Sequence, residues 1–378
     1  MKVLLIGNYA PDRQESMQRF AQLLEIELRA RGHRVQLLQP RARLNRDGAP
    51  PVGRAKWLGY LDKFVLFPAL LKRAARRADI VHITDHSNAM YVRHLRGKPL
   101  LLTCNDVLAI RSALGLVPQN PTGATGKILQ KLILRGLDRA PHIACISDNT
   151  RDQLLEVSSR SPETTTVIEM GLNYPYSPMP AAQADAMIEP YFDGEIRPFI
   201  LHVGGNQWYK NREGVLQIYR ALREKMGEGA PALVMAGKEF TPEMEAYCAE
   251  HNLRGVIRVG GASNEQLRAL YSRAQAFMFP SLAEGFGWPI VEAQACGCRV
   301  LTTDLPPMNG IGGDAAALCD PLDVTEAAAK LRALLNENET QQQARVEAGL
   351  RNAERFTTAN MVEKYERLYR EITGAARL

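Results

Sequence analysis

A chain of 378 residues with 46% hydrophobic content can form two ordinary cores, because single cores stop growing near about 250 to 300 residues. Its six cysteines are scattered in or beside apolar runs and form no zinc-type cluster, which fits a reduced cytosolic protein. The net charge of +6 leaves three partner classes open, namely a polyanion, an anionic membrane surface and a phosphorylated small molecule.

The N-terminal segment MKVLLIGNYA has one basic residue and a short apolar run, so it predicts a first buried strand rather than a signal peptide. No apolar stretch reaches the roughly 20 residues that a membrane-spanning helix requires. We therefore expect a cytoplasmic protein that is soluble or peripheral on the cytoplasmic face of the inner membrane.

Strands and helices alternate through the first half of the chain. The run KVLLIG predicts a strand, and the segment after it predicts a helix that ends at Gly32. The apolar face of this helix consists of Met17, Phe20, Ala21, Leu24 and Leu28. Further strand-like runs are VQLL, DIVHIT, PLLLTC, HIACIS and TTTVIEM, several of them separated by helix-like segments such as GKILQKLILRGL. The alternation predicts a parallel sheet covered by helices.

The pattern stops at a proline-rich stretch, residues 176–197, which predicts an interdomain linker. It then restarts with PFILHVG, PALVMAG, GVIRVG, AFMFPS, RVLTTD and AAALCD, which alternate with helix-like segments. We therefore predict an α/β protein with two doubly wound domains, residues 1–175 and 198–355. A C-terminal helix, residues 356–378, would return to the first domain. Open α/β sheets bind ligands at the carboxyl ends of their strands, so we expect the site in a cleft between the domains.

Residues 279–300, FPSLAEGFGWPIVEAQACGCRV, contain two glutamates eight positions apart at a strand-to-helix turn. Gly285 and Gly287 allow backbone torsions that other residues resist, and Pro289 suits the first turn of a helix. The amides and dipole of a helix N-terminus favour an anion such as a diphosphate. Glu284 and Glu292 could then accept hydrogen bonds from a sugar and from a ribose diol. Two unrelated solvated glutamates are the alternative, which the surrounding glycines and proline disfavour.

The run EGFGWPIVEAQACG resembles the signature of retaining family 4 glycosyltransferases with the GT-B fold, in which seven residues separate the two glutamates. The likeness extends through HVGGNQWYKNREG, VMAGKEF, RVGGASNEQLRALYSRAQAFMFPS and GGDAAALCDP, and it is weaker in the first domain. This resemblance implies two Rossmann-like domains that face a central cleft. The second domain would bind the donor nucleotide, and the first would bind the acceptor.

The resemblance also implies site residues. Glu284 would hold hydroxyls of the donor sugar, Glu292 would bind the ribose, and Lys210 would grip the diphosphate. The catalytic set implied in this way is Lys210, Glu284, Asn105 and Asp106. The donor-binding set is Gly7, Gly204, Gly205, Lys210, Asn211, Gly237, Gly260, Glu284, Gly285, Phe286, Gly287, Trp288 and Glu292. Of these, Phe286 and Gly287 would contribute backbone amides to the sugar or phosphate.

Three positions depart from the family pattern. Gly205 stands where relatives usually have a diphosphate-binding arginine, so either Arg212 compensates or the phosphate grip is weaker. Asn105 stands where relatives often have a histidine that contacts the donor sugar, which bears on donor choice and catalysis. An amide can still donate and accept hydrogen bonds. Gly310 replaces the glutamate of a PPMxEIGGDAA run.

Two further segments leave alternatives open. In DHSN, Asp85 and His86 follow a strand, and we favour a buried or surface histidine without a functional role over a histidine that contacts substrate. Residues 29–77 are densely basic and enclose WLGYLDKFVLFPALL, which suits either docking on an anionic membrane or a buried helix with a solvated basic edge. Nucleic-acid binding is not expected, because the basic run is not interleaved as a stacking platform.

Other motifs are missing. No GxGxxG follows the first strand, which argues against a nicotinamide enzyme, and no DxD run is present to hold a divalent ion. We therefore expect no cofactor and no metal, with a helix dipole and Lys210 stabilising the leaving diphosphate. The resemblance implies same-face attack by an acceptor hydroxyl assisted by the departing phosphate, so Glu284 is not assigned as a nucleophile.

The sequence thus predicts a retaining hexosyltransferase with a UDP- or GDP-sugar donor. The sugar would be of the mannose, glucose or N-acetylglucosamine type. The acceptor would be a glycan, a lipid-linked molecule or a small molecule in bacterial-type polysaccharide or glycoconjugate synthesis. The alternative is a non-catalytic GT-B-like subunit that binds nucleotide or glycan without turnover, as Asn105 and Gly205 would allow. A GT-B epimerase or phosphorylase fits the glutamate pair less well.

Overall fold

The structure, a computed structural model, describes residues 1–44 and 53–374, so residues 45–52 of the basic run lie outside it. The chain forms two compact units. Unit 1 contains Met1–Asn173 and the C-terminal segment that begins at Thr358, and unit 2 contains Tyr174–Thr357.

Unit 1 is built on a six-stranded sheet. Its strands are β1 (Lys2–Ile6), β2 (Arg34–Leu38), β3 (Ile80–Ile83), β4 (Leu100–Cys104), β5 (His142–Cys145) and β6 (Thr165–Val167). They pair in the order β2-β1-β3-β4-β5-β6, and every pair is parallel. The sequences of β1, β3 and β4 are nearly continuous apolar runs, because strands covered on both faces have no solvent side.

Helices cover this sheet. They are α1 (Glu15–Ala30), α2 (Gly53–Leu61), α3 (Phe67–Ala75), α4 (Leu108–Ala113), α5 (Ala124–Arg139) and α6 (Asp148–Val157). A π-helical turn, Asp62–Leu66, joins α2 to α3, and a 3-10 segment, His86–His94, follows β3. Of the apolar face predicted for α1, all but Met17 are fully buried, as the 3.6-residue period predicts.

Unit 2 repeats the architecture with a second six-stranded sheet. Its strands are β7 (Phe199–Gly204), β8 (Ala232–Gly237), β9 (Val256–Gly260), β10 (Ala276–Phe279), β11 (Val300–Thr303) and β12 (Ala317–Cys319). Their order is β12-β11-β10-β7-β8-β9, again parallel throughout. The prediction of an α/β fold with two doubly wound parallel sheets is confirmed.

The helices of unit 2 begin inside the predicted linker. They are α7 (Ala181–Ile188), α8 (Arg212–Met226), α9 (Pro242–Glu250), α10 (Asn264–Arg273), α11 (Trp288–Ala295), α12 (Met308–Gly312), α13 (Val324–Leu335) and α14 (Glu339–Ala353). Residues 176–197 are therefore not an extended connection. Helix α7 packs on α10, where Nε of Arg273 lies 2.6 Å from Oδ1 of Asp185. Its apolar residues Ala184 and Ile188 are buried, a face too short to register as a period.

The last helix, α15 (Thr358–Thr373), belongs to unit 1. It buries Tyr365 and Tyr369 against the sheet, where the Tyr369 hydroxyl lies 2.6 Å from Nδ1 of His82. Oγ1 of Thr103 lies 2.7 Å from the other ring nitrogen of His82, so the imidazole links β3, β4 and α15. Within the described residues, no helix is both long enough and apolar enough to cross a membrane.

Candidate functional site

The loops after β7 and β10 are joined at the carboxyl edge of the unit 2 sheet. The two strands are neighbours, so their following loops meet. The amide of Leu282 donates a hydrogen bond of 2.7 Å to the carbonyl of Tyr209. Nδ2 of Asn211 donates to the carbonyls of Pro280 at 3.0 Å and Pro321 at 3.3 Å. Lys210, which lies between these two anchors, is held against the loop that carries Glu284.

Lys210 and Glu284 form an ion pair at this edge. Nζ of Lys210 lies 2.7 Å from Oε1 of Glu284, and the two side chains are only 15% and 10% exposed. The ammonium also lies 5.0 Å from the ring centroid of Phe279 and 5.7 Å from that of Tyr209. Aromatic faces attract cations, so both rings help to hold the charge in place. An ammonium has three N–H donors, and Glu284 occupies one direction only.

The glycine-rich turn leads directly into α11. Gly287 caps this helix with a φ of 104°, a left-handed conformation that a side chain would strain. Pro289 lies in the first turn, as the motif predicts. The Phe286 ring is buried against Phe356, and their ring centroids lie 5.5 Å apart. This packing helps to hold the backbone of the turn in place.

Glu292 lies one turn into α11 and is 7% exposed. The buried hydroxyl of Tyr271, from α10, donates a hydrogen bond of 3.0 Å to its Oε2. Burial, and then the charge of Glu292, hold the pKa of Tyr271 well above its usual value, so the phenol stays protonated as a donor. Tyr271 thereby fixes the carboxylate in one orientation.

Three of the predicted glycines occupy matching positions at strand ends. Gly204 pairs with Gly237, and Gly237 pairs with Gly260. A Cβ on Gly237 would lie 2.1 Å from the carbonyl oxygen of Gly204, so the close approach of the two strands requires glycine there. The space beside Gly260 is open, and nothing in the structure requires glycine at that position.

Arg212 is a buried cation behind the Lys210 loop, and it is 4% exposed. Its Nη1 donates to the side chain of Asn206 and to the carbonyls of Lys238 at 2.9 Å and Glu239 at 3.4 Å. Nε and Nη2 are buried without hydrogen-bond partners, and no carboxylate in the described part of the chain forms an ion pair with it. Burial lowers the pKa of the guanidinium from its usual value, which indicates that this charge is poorly compensated.

His202, on β7, lies under the same loop. Its Nδ1 lies 3.0 Å from the carbonyl oxygen of Met278, and its Nε2 is buried without a partner. Burial lowers its pKa to about 3, and the nearby charges of Arg212 and Lys210 act in the same direction. The imidazole is therefore neutral at physiological pH and adds no charge to the site.

A second polar cluster lies at the carboxyl edge of the unit 1 sheet. Asp85, directly after β3, accepts hydrogen bonds from Nδ2 of Asn8 at 2.6 Å and Nδ2 of Asn105 at 2.9 Å. Nδ1 of His86 lies 3.1 Å from the same carboxylate. Oδ1 of Asp106 instead accepts from the amide of Leu108 at 3.0 Å, at the start of α4.

Comparison with known sequence families covers both units. Residues 17–174 match the family described as Glycosyltransferase Family 4, and residues 187–350 match Glycosyl transferases group 1. Together the two matches span most of the chain.

The chain belongs to glycosyltransferase family 4.

This family 4 chain is similar in sequence to two mannosyltransferases. It is 26% identical over 236 residues to O-antigen chain mannosyltransferase B of Escherichia coli, a match that covers 62% of this chain and 61% of the relative. It is 24% identical over 344 residues to the GDP-mannose:cellobiosyl-diphosphopolyprenol alpha-mannosyltransferase of Xanthomonas oryzae, a match that covers 87% and 83% of the two chains. The match covers 61% of the length of the first relative and 25% and 24% of the length of two further E. coli proteins, so the chain spans less than two thirds of each of these three relatives.

The fold of the whole chain is that of the GT-B glycosyltransferases. Sucrose-phosphate synthase from Thermosynechococcus elongatus superposes with a TM-score of 0.76 at 19% identity, and the match covers 99% of this chain and 100% of that one.

The family 4 chain places its predicted site residues in two groups. Lys210, Glu284 and Glu292 lie in unit 2 with the glycine turn, while Gly7, Asn105 and Asp106 lie in unit 1. The Asn211 amide, predicted to contact the donor, is already committed to two carbonyls. Gly7, at the end of β1, has its amide on the carbonyl of Leu38 at 3.0 Å, and a Cβ there would approach the side chain of Gln39.

The remaining predicted positions serve the backbone of the same loops. Gly205 lies against the side chain of Gln207, Gly285 lies within the glycine turn, and Trp288 is the first residue of α11. No group of three or more histidine, cysteine, aspartate or glutamate side chains that could hold a metal ion lies within the described ranges.

Sequence reasoning missed Tyr271, His202 and Asn8. Tyr271 lies on α10 in an ordinary amphipathic pattern, and His202 is buried inside a strand, so neither has a local motif. Asn8 and the DHSN run each follow a strand of one parallel sheet, and that shared position is the signal that could have joined them.

Proposed function

We propose that this protein is a retaining glycosyltransferase that moves a hexose from a nucleoside diphosphate sugar to a glycan, lipid-linked or small-molecule acceptor. The observation that carries the proposal is the contact between Lys210 and Glu284 at the carboxyl edge of the unit 2 sheet. A fixed cation beside a fixed carboxylate suits a ligand that has a diphosphate next to a polyhydroxyl ring.

Lys210 stabilises the leaving group in this proposal. Negative charge increases on the diphosphate as its bond to the anomeric carbon breaks, and a preorganised ammonium lowers the energy of that state. Glu284 and the rings of Phe279 and Tyr209 hold Nζ in place before the reaction begins. The free oxygen of Glu284 then accepts hydrogen bonds from hydroxyls of the transferred sugar.

Glu292 binds the ribose of the donor. A carboxylate accepts from both hydroxyls of a cis-diol, and the Tyr271 hydroxyl fixes its orientation without competing as an acceptor. Arg212 supplies a second positive charge in place of the arginine that is absent at Gly205. Nε and Nη2 of Arg212 are buried without hydrogen-bond partners, and a bound anion would offset the cost of their desolvation.

Transfer proceeds with retention at the anomeric carbon. The bond from that carbon to the diphosphate breaks, and the acceptor oxygen forms the new bond on the same face. The acceptor proton passes to an oxygen of the departing phosphate, so no protein nucleophile is required.

The names of the relatives support mannose and GDP as the first sugar and base to test. One relative is named for GDP-mannose and a diphosphopolyprenol-linked acceptor, and another for O-antigen chains. Glucose and N-acetylglucosamine donors follow in the same assay.

The helical segment 53–75 supports peripheral binding to an anionic membrane, where a lipid-linked acceptor would reside. Its exposed stripe consists of Trp57, Leu58, Leu61, Val65, Leu66 and Leu70. Exposed basic residues flank the stripe at Arg54, Lys72, Arg73, Arg76 and Arg77. An apolar stripe with a basic border is the composition that lies in the interface of an anionic bilayer.

Calorimetric titration with GDP, UDP and ADP, followed by assays of GDP-mannose and UDP-glucose turnover, tests the proposal. We expect one nucleotide to bind the wild type and to lose affinity in Glu292→Ala. The exposed helix residue Glu250 provides the matched control, Glu250→Ala, which should bind normally. Nucleotide binding without turnover, with or without cellobiosyl-diphosphopolyprenol, would favour a non-catalytic subunit, and unchanged affinity in Glu292→Ala would refute the ribose assignment.

A further inference from the structure

The first segment of unit 2, residues 174–179, is fixed to α10. It follows the chain connection from unit 1, because unit 2 begins at Tyr174. The Tyr174 hydroxyl donates a hydrogen bond to Oε1 of Glu265, in the first turn of α10. Nε of Arg268, on the same helix, donates to the carbonyl of Ser177 at 2.8 Å. The chain that enters unit 2 is therefore bound to α10 before α7 begins.

An aromatic contact extends from this segment to the carboxylate of Glu292. The ring of Tyr176, which is 7% exposed, lies edge-on to the ring of Tyr271, with the centroids 5.9 Å apart and an interplanar angle of 85°. The Tyr271 ring also lies edge-on to Phe277, at a centroid distance of 5.3 Å. Edge-to-face pairs hold both rings in a preferred orientation. Because the strength of a hydrogen bond depends on its angle and length, the position of the Tyr271 ring controls how well its hydroxyl, at 3.0 Å, contacts Oε2 of Glu292.

The last segment of unit 2 reaches the glycine turn in a similar way. Unit 2 ends at Thr357, and Phe356, which precedes it, is 1% exposed. The Phe356 ring lies edge-on to the Phe286 ring, at an interplanar angle of 80°. Nδ2 of Asn352, at the end of α14, donates a hydrogen bond of 2.7 Å to Oε1 of Gln294 on α11. The end of unit 2 therefore contacts both α11 and the turn that precedes it.

We propose that Tyr176 and Phe356 are positioning residues of the donor site. Tyr176 holds the ring of Tyr271, so that its hydroxyl stays on Glu292, and Phe356 holds the glycine turn through Phe286. Both roles rest on the proposed function, in which Glu292 binds the ribose and the turn binds the transferred sugar. Each residue acts through one contact, so Tyr176 affects recognition of the ribose and Phe356 affects recognition of the sugar. The alternative is that both rings only stabilise unit 2, like any other buried aromatic pair.

Selectivity for ribose tests the role of Tyr176. Calorimetry compares GDP with 2′-deoxy-GDP, and UDP with 2′-deoxy-UDP, on the wild type and on Tyr176→Leu. The wild type should bind the deoxy nucleotide about 10- to 100-fold more weakly, as for one lost hydrogen bond to a charged group. In Tyr176→Leu this ratio should shrink about 2- to 10-fold, because a displaced Glu292 binds the 2′-hydroxyl less well. Tyr176→Leu/Tyr271→Phe should have the ratio of Tyr271→Phe alone, since Tyr176 acts through Tyr271.

The contribution of the sugar to affinity tests the role of Phe356. GDP-mannose is compared with GDP, and UDP-glucose with UDP, by calorimetry without acceptor. In Phe356→Leu, the Kd of the sugar nucleotide should rise about 2- to 10-fold relative to the Kd of the free nucleotide, the range for one hydrogen bond. The ribose ratio should stay at the wild-type value in this variant. Methionine fills irregular gaps in a core, so Tyr176→Met and Phe356→Met replace any leucine variant that does not fold.

Another buried aromatic pair of unit 2 provides the control. Phe192, which is 6% exposed, packs on Phe199 with the ring centroids 5.2 Å apart. Phe192→Leu should leave both ratios unchanged. A change of the ribose ratio in Tyr176→Leu alone, and of the sugar ratio in Phe356→Leu alone, supports the two roles. A variant that keeps its own ratio at the wild-type value overturns the role of its residue. Equal changes in all three variants would mean that general loosening of unit 2 explains them, and would overturn both roles.

Failure of the proposed function is recognised separately. If the wild type binds none of these nucleotides, the donor assignment fails, and the two contacts are then tested on the ligand-free protein. The carbon-13 NMR signal of Cζ of Tyr271, identified by its absence in Tyr271→Phe, reports the hydrogen bond of the phenol. The amide signals of Gly285 and Gly287 report the glycine turn. Shifts of the Tyr271 signal in Tyr176→Leu and of the glycine signals in Phe356→Leu, with none in the control variant, would support the positioning roles, and unchanged signals would overturn them.

Discussion

Nζ of Lys210 lies 2.7 Å from Oε1 of Glu284, although the residues are 74 positions apart in the chain. The contact follows from topology, because β7 and β10 are neighbours in a parallel sheet and their carboxyl ends point to one edge. Each residue fixes the other before any ligand arrives. The pair is therefore expected to act as one unit, with effects that do not add.

Lys210→Ala tests whether the ammonium of Lys210 stabilises the negative charge of the leaving diphosphate. We expect kcat to fall about 100- to 1,000-fold, the range for removal of one preorganised transition-state donor, while the fold persists. Glu284→Gln should lose less than Lys210→Ala, and the double variant should resemble Lys210→Ala alone. Donor turnover at saturating GDP-mannose measures this. Lys225→Ala, an exposed lysine of α8, is the control, and a normal kcat in Lys210→Ala would exclude the assigned role.

Tyr271→Phe tests whether the phenol positions Glu292. Loss of one buried hydrogen bond corresponds to about 0.5–1.5 kcal/mol, so nucleotide Kd should rise about 2- to 10-fold. The effect should vanish in a Glu292→Ala background, since the partner is gone. Tyr219→Phe is a matched control, because this buried hydroxyl donates to the carbonyl of Pro231 at 3.0 Å instead. Equal losses in the two tyrosine variants would mean that general destabilisation explains both.

The sequence predicts the parts of this site that a local motif encodes. Glu284, the glycine turn and Glu292 lie within one strand-to-helix unit, so spacing alone relates them. Lys210 also follows a strand, in the run HVGGNQWYKN, which resembles the family pattern. Tyr271 could not be predicted, because its pairing with Glu292 depends on how α10 and α11 pack.

The hydrogen-bond cluster around Asp85 is likewise not encoded by one local motif. DHSN follows a strand, and its partners Asn8 and Asn105 come from the loops after neighbouring strands of the same sheet. Helix α7, inside the stretch predicted as a linker, was not predicted for a related reason, since it is stabilised by contacts with α10 rather than by its own period.

Arg212→Lys tests the second phosphate contact. Lysine keeps the charge but loses the planar fork, so its single nitrogen cannot hold the carbonyls that contact Nη1 and also present the separate donors Nε and Nη2 to a phosphate. We expect GDP affinity to fall about 10-fold, within the range for a hydrogen bond to a charged group, and guanosine affinity to stay unchanged. Calorimetry with both ligands makes the comparison, with Arg332→Ala, an exposed arginine of α13, as control. A parallel loss for guanosine would indicate a disturbed loop rather than a lost phosphate contact.

Trp57→Ala tests the exposed stripe. Trp57 is 61% exposed, and moving such a side chain from water into a bilayer interface is favourable by roughly 1.5–3 kcal/mol. Partition into phosphatidylglycerol vesicles should therefore weaken about tenfold or more, and wild-type binding should decrease with salt. Leu322→Ala, at a 76% exposed leucine of unit 2, should partition normally. Equal wild-type binding to phosphatidylcholine vesicles would contradict the electrostatic part of the proposal.

Unit 1 contains two histidines whose pKa values are shifted in opposite directions. Burial lowers the pKa of His82 to about 3, while His86, despite its burial, has a pKa raised to about 9 by Asp85. As pH decreases below about 6.5, the unfolded chain protonates His82 before the folded chain does, so the free energy of unfolding decreases as the pH is lowered. Above about pH 6.5, the unfolded chain releases the His86 proton first, so stability falls as pH rises toward 9.

Unit 1 should consequently be most stable near pH 6.5, with each limb near 1.4 kcal/mol per pH unit for its histidine. Hydrogen exchange of peptides that cover β3 and β4, measured across a urea series, gives this profile for unit 1 alone. His82→Gln should flatten the acid limb and leave the alkaline limb in place, and Asp85→Asn/His86→Gln should do the reverse. If both variants keep the wild-type profile, then neither histidine has a shifted pKa and the prediction is wrong.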